Sequence, residues 1–157
     1  MTGAPVGERW FPDEMPTPAA NTETAGWWEA AAGHRLVVQR CAACGTTRHP
    51  PGPLCPVCRS FASEWMTLPG TGTVYTYTVV HQAFIPALRD TIPYVVVVVE
   101  LDGGGGTRIV SDLVDAEPAD VAVGMPVEVA WEDMGPELAL PRFRPATRAA
   151  TTTGARP

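Results

Sequence analysis

Four cysteines, Cys41, Cys44, Cys55 and Cys58, form two Cys-x-x-Cys pairs separated by ten residues, and the 157-residue chain has no other cysteine. Each pair can place two sulfurs on one side of a tight turn whose backbone N–H groups point at them. Two such turns facing each other supply a tetrahedral cage of four thiolates, the geometry zinc takes at a closed structural site. Gly45 follows the first pair and can adopt the left-handed conformation that such a turn requires. Arg59 stands in the equivalent place after the second pair, where a glycine fits more easily. The spacing predicts a bound metal, with zinc ahead of iron in the same S4 cage. Four free thiols and two disulfides are the weaker alternatives; disulfides fit badly because no export leader is read at Met1 and the expected compartment is the cytoplasm. His49 lies between the pairs and could replace a ligand, but with four cysteines available it reads as a turn histidine. Four sulfurs leave no open position for water or substrate, so the expected metal is structural.

Charge narrows the partners. Eleven basic residues stand against 17 acidic ones, a formal charge of −6. A nucleic-acid binder needs a basic face to displace counterions from phosphate, so this balance argues against one. All the basic residues are arginine, and there is no lysine. That excludes a Walker-type phosphate loop, Schiff-base chemistry and pyridoxal phosphate. The longest greasy run, Val95 to Val99, is strand-sized and far short of the ~20 residues that cross a bilayer, so no membrane is expected. No Gly-x-Ser-x-Gly or His-Glu-x-x-His motif occurs, and His34, His49 and His81 have no evident relay partner. Gly103 to Gly106 leads into a strand and reads as a hairpin turn, and Asp112 and Asp115 read as a solvated rim. No catalytic constellation is expected.

Residues 1–21 are proline-rich and read as an extended arm, with plain disorder as the alternative; Trp10 and Phe11 would pack on something, either this chain or a partner. Residues 22–38 hold a short helix, capped by Thr22 or Thr24 and stopped at Gly33, and a lead-in strand Leu36–Val38. Trp27 and Trp28 point about 100° apart on that helix, so one small core cannot easily bury both; either they meet a partner, or the helix docks on its own barrel and buries one with the other half exposed. Residues 39–66 hold the cysteine ribbon. Residues 67–145 alternate as five strands: Thr71–His81, Tyr94–Leu101, Thr107–Val114, Val127–Glu132 and Leu138–Phe143. A helical turn at Glu117–Val121 falls between the third and fourth. The expected fold is mainly β, with a small five-stranded Greek-key barrel; an open sheet or small sandwich is the alternative. Residues 146–157 are expected to be a disordered tail.

The order of these features resembles a known family. It runs from a Trp-containing helix through Gly33-His34-Arg35-Leu36-Val37-Val38 to Cys41, and through Arg48-His49-Pro50-Pro51 to Cys55-Pro56-Val57-Cys58. It continues with Gly70-Thr71-Gly72-Thr73-Val74, Pro93-Tyr94-Val95-Val96, Gly124-Met125-Pro126 and the closing Leu140-Pro141-Arg142-Phe143-Arg144-Pro145. From about Thr24 to Pro145 the chain is similar to the domain of unknown function 35 group. The resemblance implies a short N-terminal helix, a rubredoxin-like zinc ribbon holding Zn on Cys41, Cys44, Cys55 and Cys58, and a five-stranded OB-fold barrel. It further implies a non-catalytic accessory subunit of a thiolase-fold acyl-CoA enzyme, forming a hetero-oligomer that meets the CoA thioester through the complex. The Phe84-Ile85-Pro86 loop leans this expectation towards steroid side-chain aldolases, or the equivalent domain of a hydratase subunit. On that reading Trp10, Phe11, Trp27, Trp28, His81 and Phe84 are candidates for the partner interface. Arg40, Arg48 and Arg89 are candidates for CoA phosphate, since guanidinium suits phosphate. The competing readings are a single-stranded nucleic-acid binder stacking bases on Tyr75 and Tyr77, and an iron electron carrier.

Overall fold

The computed structural model describes residues 9–147; the first part of the expected arm, 1–8, and most of the expected tail, 148–157, lie outside the described residues. Helix α1 spans Ala25–Ala32. Thr24 occupies its N-cap, but the hydroxyl does not cap the helix. It accepts the Asn21 N–H at 2.9 Å, while Asn21 Oδ1 accepts the Thr24 N–H at 2.9 Å. Gly33 closes the helix in an ordinary conformation, and the next residue, His34, takes the left-handed φ of 53°. The ribbon sheet follows, made of β1 (Val37–Cys41), β2 (Thr47–Arg48) and β3 (Ser63–Thr67) in the antiparallel order β2-β1-β3.

The remaining strands are β4 (Thr71–Val80), β5 (Tyr94–Leu101), β6 (Arg108–Leu113), β7 (Pro126–Gly135) and β8 (Leu138–Pro145). They close a barrel in the order β4-β5-β6-β8-β7. All pairs are antiparallel except the short β6–β8 contact at Leu113 and Phe143. A 3-10 turn, Pro118–Asp120, sits between β6 and β7, where the sequence places a helical turn.

Period-two alternation builds the interior. Along β5, Val95, Val97, Val99 and Leu101 point inward. They meet Val74, Ile109, Leu113, Val127 and Phe143. The same core takes in Trp27, Ala30 and Ala31 of α1 and Leu36, Val37 and Val38 of the lead-in, so helix, ribbon and barrel share one interior. Gly72 shows why the Gly-x-Gly stretch is needed. There β4 pairs with β5 and β7 at once, and a Cβ would lie 2.4 Å from the Glu100 carbonyl oxygen. Gly70 takes a left-handed φ of 82°.

Two of the candidate interface residues are buried in this chain. Trp27 is buried, 7% exposed, because α1 lies in the crevice beside β8 and turns that indole into the core. Trp28 packs edge-on against it at 4.6 Å and stays half-buried. Phe11 is also buried, 8% exposed, edge-on to Tyr94 at 5.6 Å and under the Arg142 guanidinium at 4.6 Å. The arm is strapped to the barrel by Glu132, which is 0% exposed. One carboxylate oxygen accepts the Trp10 and Phe11 backbone N–H groups, both at 3.0 Å; the other accepts Arg142 Nε at 2.7 Å. Trp10 Nε1 also donates to Asp115, at 3.0 Å. The apolar surface expected for a partner at Phe11 and Trp27 is used inside this chain.

Candidate metal centre and surrounding surface

The two cysteine turns are built alike. The Gly45 N–H donates to Cys41 O and the Arg59 N–H to Cys55 O, both at 2.9 Å. The Cys41 N–H returns to Thr46 O and the Cys55 N–H to Ser60 O, again at 2.9 Å. Gly45 has φ 76° and Arg59 has φ 61°, so the arginine is held in the left-handed conformation that the sequence marks as strained.

The four Sγ atoms lie within 4.8 Å of one another. Cys41 and Cys58 stand 3.6 Å apart, as do Cys44 and Cys55. A tetrahedral ion with metal–sulfur bonds of about 2.3 Å spaces its sulfurs by about 3.8 Å, whereas a disulfide needs about 2.05 Å. The spacing fits a shared ion. Hydrogen bonds from the Thr46 hydroxyl and N–H bring the Cys44 thiol down to about 6. The Ser60 N–H favours the Cys58 thiolate, yet the crowding sulfurs of Cys44 and Cys41 push its pKa up to about 12. Four thiolates this close need a cation between them. Zinc bound here would fix the ribbon and leave no ligand position open.

Gln39, which carries no motif signal, organises the ribbon. Its Oε1 accepts Arg48 Nε at 2.6 Å and the Gly52 N–H at 2.9 Å, and its Nε2 donates to Ser63 at 3.1 Å. The ribbon is tied to the barrel through Thr47, whose hydroxyl donates to Gly104 O at 2.6 Å and accepts from Thr107 at 3.0 Å. Gly103, Gly105 and Gly106 all have positive φ, as a hairpin turn requires.

The three candidate arginines do not share a site. Arg40 is exposed and paired with Glu64 at 3.5 Å, and Arg89 is exposed after the 3-10 turn Pro86–Leu88. Arg48 lines a polar recess of about 380 Å³ with Thr47, His49, Gly105, Gly106, Thr107 and Arg108; neither Arg40 nor Arg89 lines it. Arg108 is the residue that sequence reasoning missed. Its guanidinium covers the Tyr75 ring at 3.5 Å and pairs with Glu100 at 2.9 Å, so one face of a supposed base-stacking tyrosine is occupied. His81 and Phe84 are exposed, Phe84 at 78%.

A second, apolar cleft of about 410 Å³ separates α1, the His49-Pro50-Pro51 turn and the barrel wall. Burial there keeps His49 below the ordinary histidine pKa. Asp112 borders this cleft and is not the solvated rim expected from sequence. It pairs with Arg142, which joins it to buried Glu132, and burial raises its pKa despite that arginine. Asp115 is exposed, as expected.

Two family models match the chain: "ChsH2, rubredoxin-like zinc ribbon domain" over residues 28–64 and "ChsH2, C-terminal OB-fold domain" over residues 65–132. A "DUF35 domain-containing scaffold protein" of Methanocaldococcus jannaschii is 39% identical over 106 residues, covering 67% of this chain and 73% of that protein. The chain belongs to the DUF35 family. The "probable enoyl-CoA hydratase alpha subunit" of Thermomonospora curvata is 52% identical over 131 residues, 83% of this chain and 40% of that protein. The "3-oxo-4,17-pregnadiene-20-carboxyl-CoA hydratase alpha subunit" of Mycobacterium tuberculosis is 36% identical over 134 residues, 85% of this chain and 41% of that protein. This DUF35 chain therefore spans about two fifths of both hydratase subunits. A solved structure, "Ltp2-ChsH2(DUF35) aldolase", superposes with TM-score 0.75 at 51% identity, over 83% of this chain and all of that one. Among the described residues, no helix is long and apolar enough to cross a membrane.

Proposed function

We propose that this DUF35 chain is a non-catalytic accessory subunit that joins a thiolase-fold acyl-CoA enzyme, of the kind that cleaves steroid side chains by an aldolase reaction, and acts in the cytoplasm. The observation that carries this reading is the 51% identity, over the whole of the matched chain, to the solved "Ltp2-ChsH2(DUF35) aldolase". The chemistry of the chain is in keeping with it. The four cysteines are spaced to close a metal cage, which suits a reducing compartment, and the buried carboxylate of Glu132 is used in strapping the arm.

In such a complex the partner supplies the reacting groups, and this chain supplies a rigid surface. Of the proposed CoA contacts, Arg48 has the best support. It lines the polar recess with Arg108, and its Nη1 has no hydrogen-bond partner among the described residues. A phosphate would supply acceptors to both guanidinium groups. The proposed partner interface rests on Phe84, His81 and the open side of Trp28, since Phe11 and Trp27 are buried.

Tagged chain isolated from its native host, with mass spectrometry of what accompanies it, tests this reading. A thiolase-fold subunit that re-forms a stable complex from purified components is expected. Recovery of the chain alone, with no complex formed on mixing with the Ltp2 of the solved aldolase or with any thiolase-fold subunit of the host, would overturn it.

A further inference from the structure

Strand β4 is held on both edges only at its start. Thr71, Gly72 and Thr73 pair with β7, and the loop after Val121 adds two bonds at Val74, from Val74 N–H to Met125 O and from Gly124 N–H to Val74 O. A bulge at Tyr75 marks where the strand leaves β7. From Thr76 to Val80 it pairs with β5 alone, Tyr75 being the bulged residue, and no strand or loop among the described residues pairs with its other edge. Tyr75, Thr76, Tyr77 and Thr78 are exposed in succession, so this stretch is open on both faces as well as along its edge.

Proteins protect such edges with lysine, proline, inward charges, bulges or a covering element. Among the described residues the β4 edge has only the bulge at Tyr75, and from Thr76 to Val80 it carries none of these. Gly70 to Val80 contains no charged residue and no proline, and its residues are among the strongest strand formers. A naked edge of this composition recruits another extended backbone.

We propose that the free edge of β4, Tyr75 to Val80, is a docking site for an extended, uncharged segment of the partner subunit, which adds to the barrel as a further strand. The inference rests on the accessory reading above. A second copy of this chain is the poorer occupant. Six residues of strand extend about 20 Å and bury on the order of a few hundred Å², short of the ~1,200 Å² that a stable dimer needs. A partner that also contacts the chain elsewhere does not depend on that area alone. Phe84 and Val123, exposed at 78% and 66%, lie on loops next to this strand, one following it in sequence and one joined to it through Gly124, and extend the apolar surface. The backbone supplies affinity, and side-chain pockets at alternate positions supply selectivity.

Amide hydrogen exchange of the chain, free and in the reconstituted complex, tests this directly. Every second amide from Tyr75 to Val80, those facing away from β5, should slow by at least about tenfold in the complex. Thr76→Lys combined with Thr78→Lys should weaken the complex by at least about tenfold while leaving the thermal midpoint of the isolated chain unchanged, because both side chains are solvent-exposed. A complex that forms with these amides unprotected, or that tolerates both lysines, overturns the docking site and leaves the accessory reading standing. If no complex forms with any thiolase-fold subunit, the accessory reading fails and the docking site fails with it. Protection of this edge that appears in the isolated chain as its concentration rises would assign the edge to a second copy and overturn the proposal.

Discussion

Arg59 and Glu132 show how single residues carry cost and stability here. Arg59 holds a left-handed φ of 61° only because the second cysteine turn repeats the first, in which a glycine does the same work. That conformation costs a non-glycine residue about 1–2 kcal/mol. Arg59→Gly should therefore stabilise the chain by about 1 kcal/mol, read as a raised urea midpoint. Glu132 acts in the opposite direction. Its buried carboxylate is balanced by Arg142 and by two backbone N–H groups of the arm. Glu132→Gln removes the charge and leaves Arg142 underpaired, and a loss of about 3–5 kcal/mol is expected by chemical denaturation. His49 gives a dependence on pH. Burial lowers its folded pKa below the unfolded value of 6.5, so the unfolded chain takes up the proton first. Its contribution is complete above that value and is lost as pH falls towards the folded pKa. Stability curves of the parent and of His49→Gln should run parallel above neutrality and converge below it. Curves that stay parallel across that range would show that His49 is not held neutral.

Among the elements, β4 is constrained most tightly at its start. Gly72 lies where three strands meet, and a methyl group there collides with backbone, which does not yield as a side-chain end does. Gly72→Ala should cost about 1–3 kcal/mol, as overpacking does, and a calorimetric midpoint close to the parent's would contradict this account of the Gly-x-Gly stretch. Elements of this kind were legible in the sequence because their causes are local. Two Cys-x-x-Cys turns, period-two valines in β5 and a glycine run before β6 each announce themselves within a dozen residues. The arm was not legible in this way. Its docking depends on Glu132, more than 120 residues away along the chain, which looks like an ordinary charged strand residue until its partners are in place. The same holds for Asp112, whose burial follows from Arg142 on a different strand. The sequence shows that Trp27 and Trp28 cannot both be buried, but which indole goes inside depends on the packing of α1 beside β8, which takes Trp27 and leaves Trp28 half-buried. The spare edge of β4 is a property of topology and has no motif of its own.

At the scale of the whole molecule, helix, ribbon and barrel share one hydrophobic interior, with the cysteine cage at one margin. Removing a structural metal from such a cage should release the ribbon while the five strands, which do not depend on it for their pairing, stay folded. Chelator treatment followed by amide exchange should therefore show loss of protection at residues 41–58 before any loss in β5. Exchange that rises uniformly along the chain would mean that the cage supports the barrel as well. On the proposed function the reacting groups belong to the partner subunit and none to this chain. Rates of thioester-substrate cleavage, measured side by side for the purified chain, the proposed thiolase-fold partner and the two together, decide where they lie. No turnover by this chain alone and full turnover only with the partner present are expected; turnover by the isolated chain would place the reacting groups here instead.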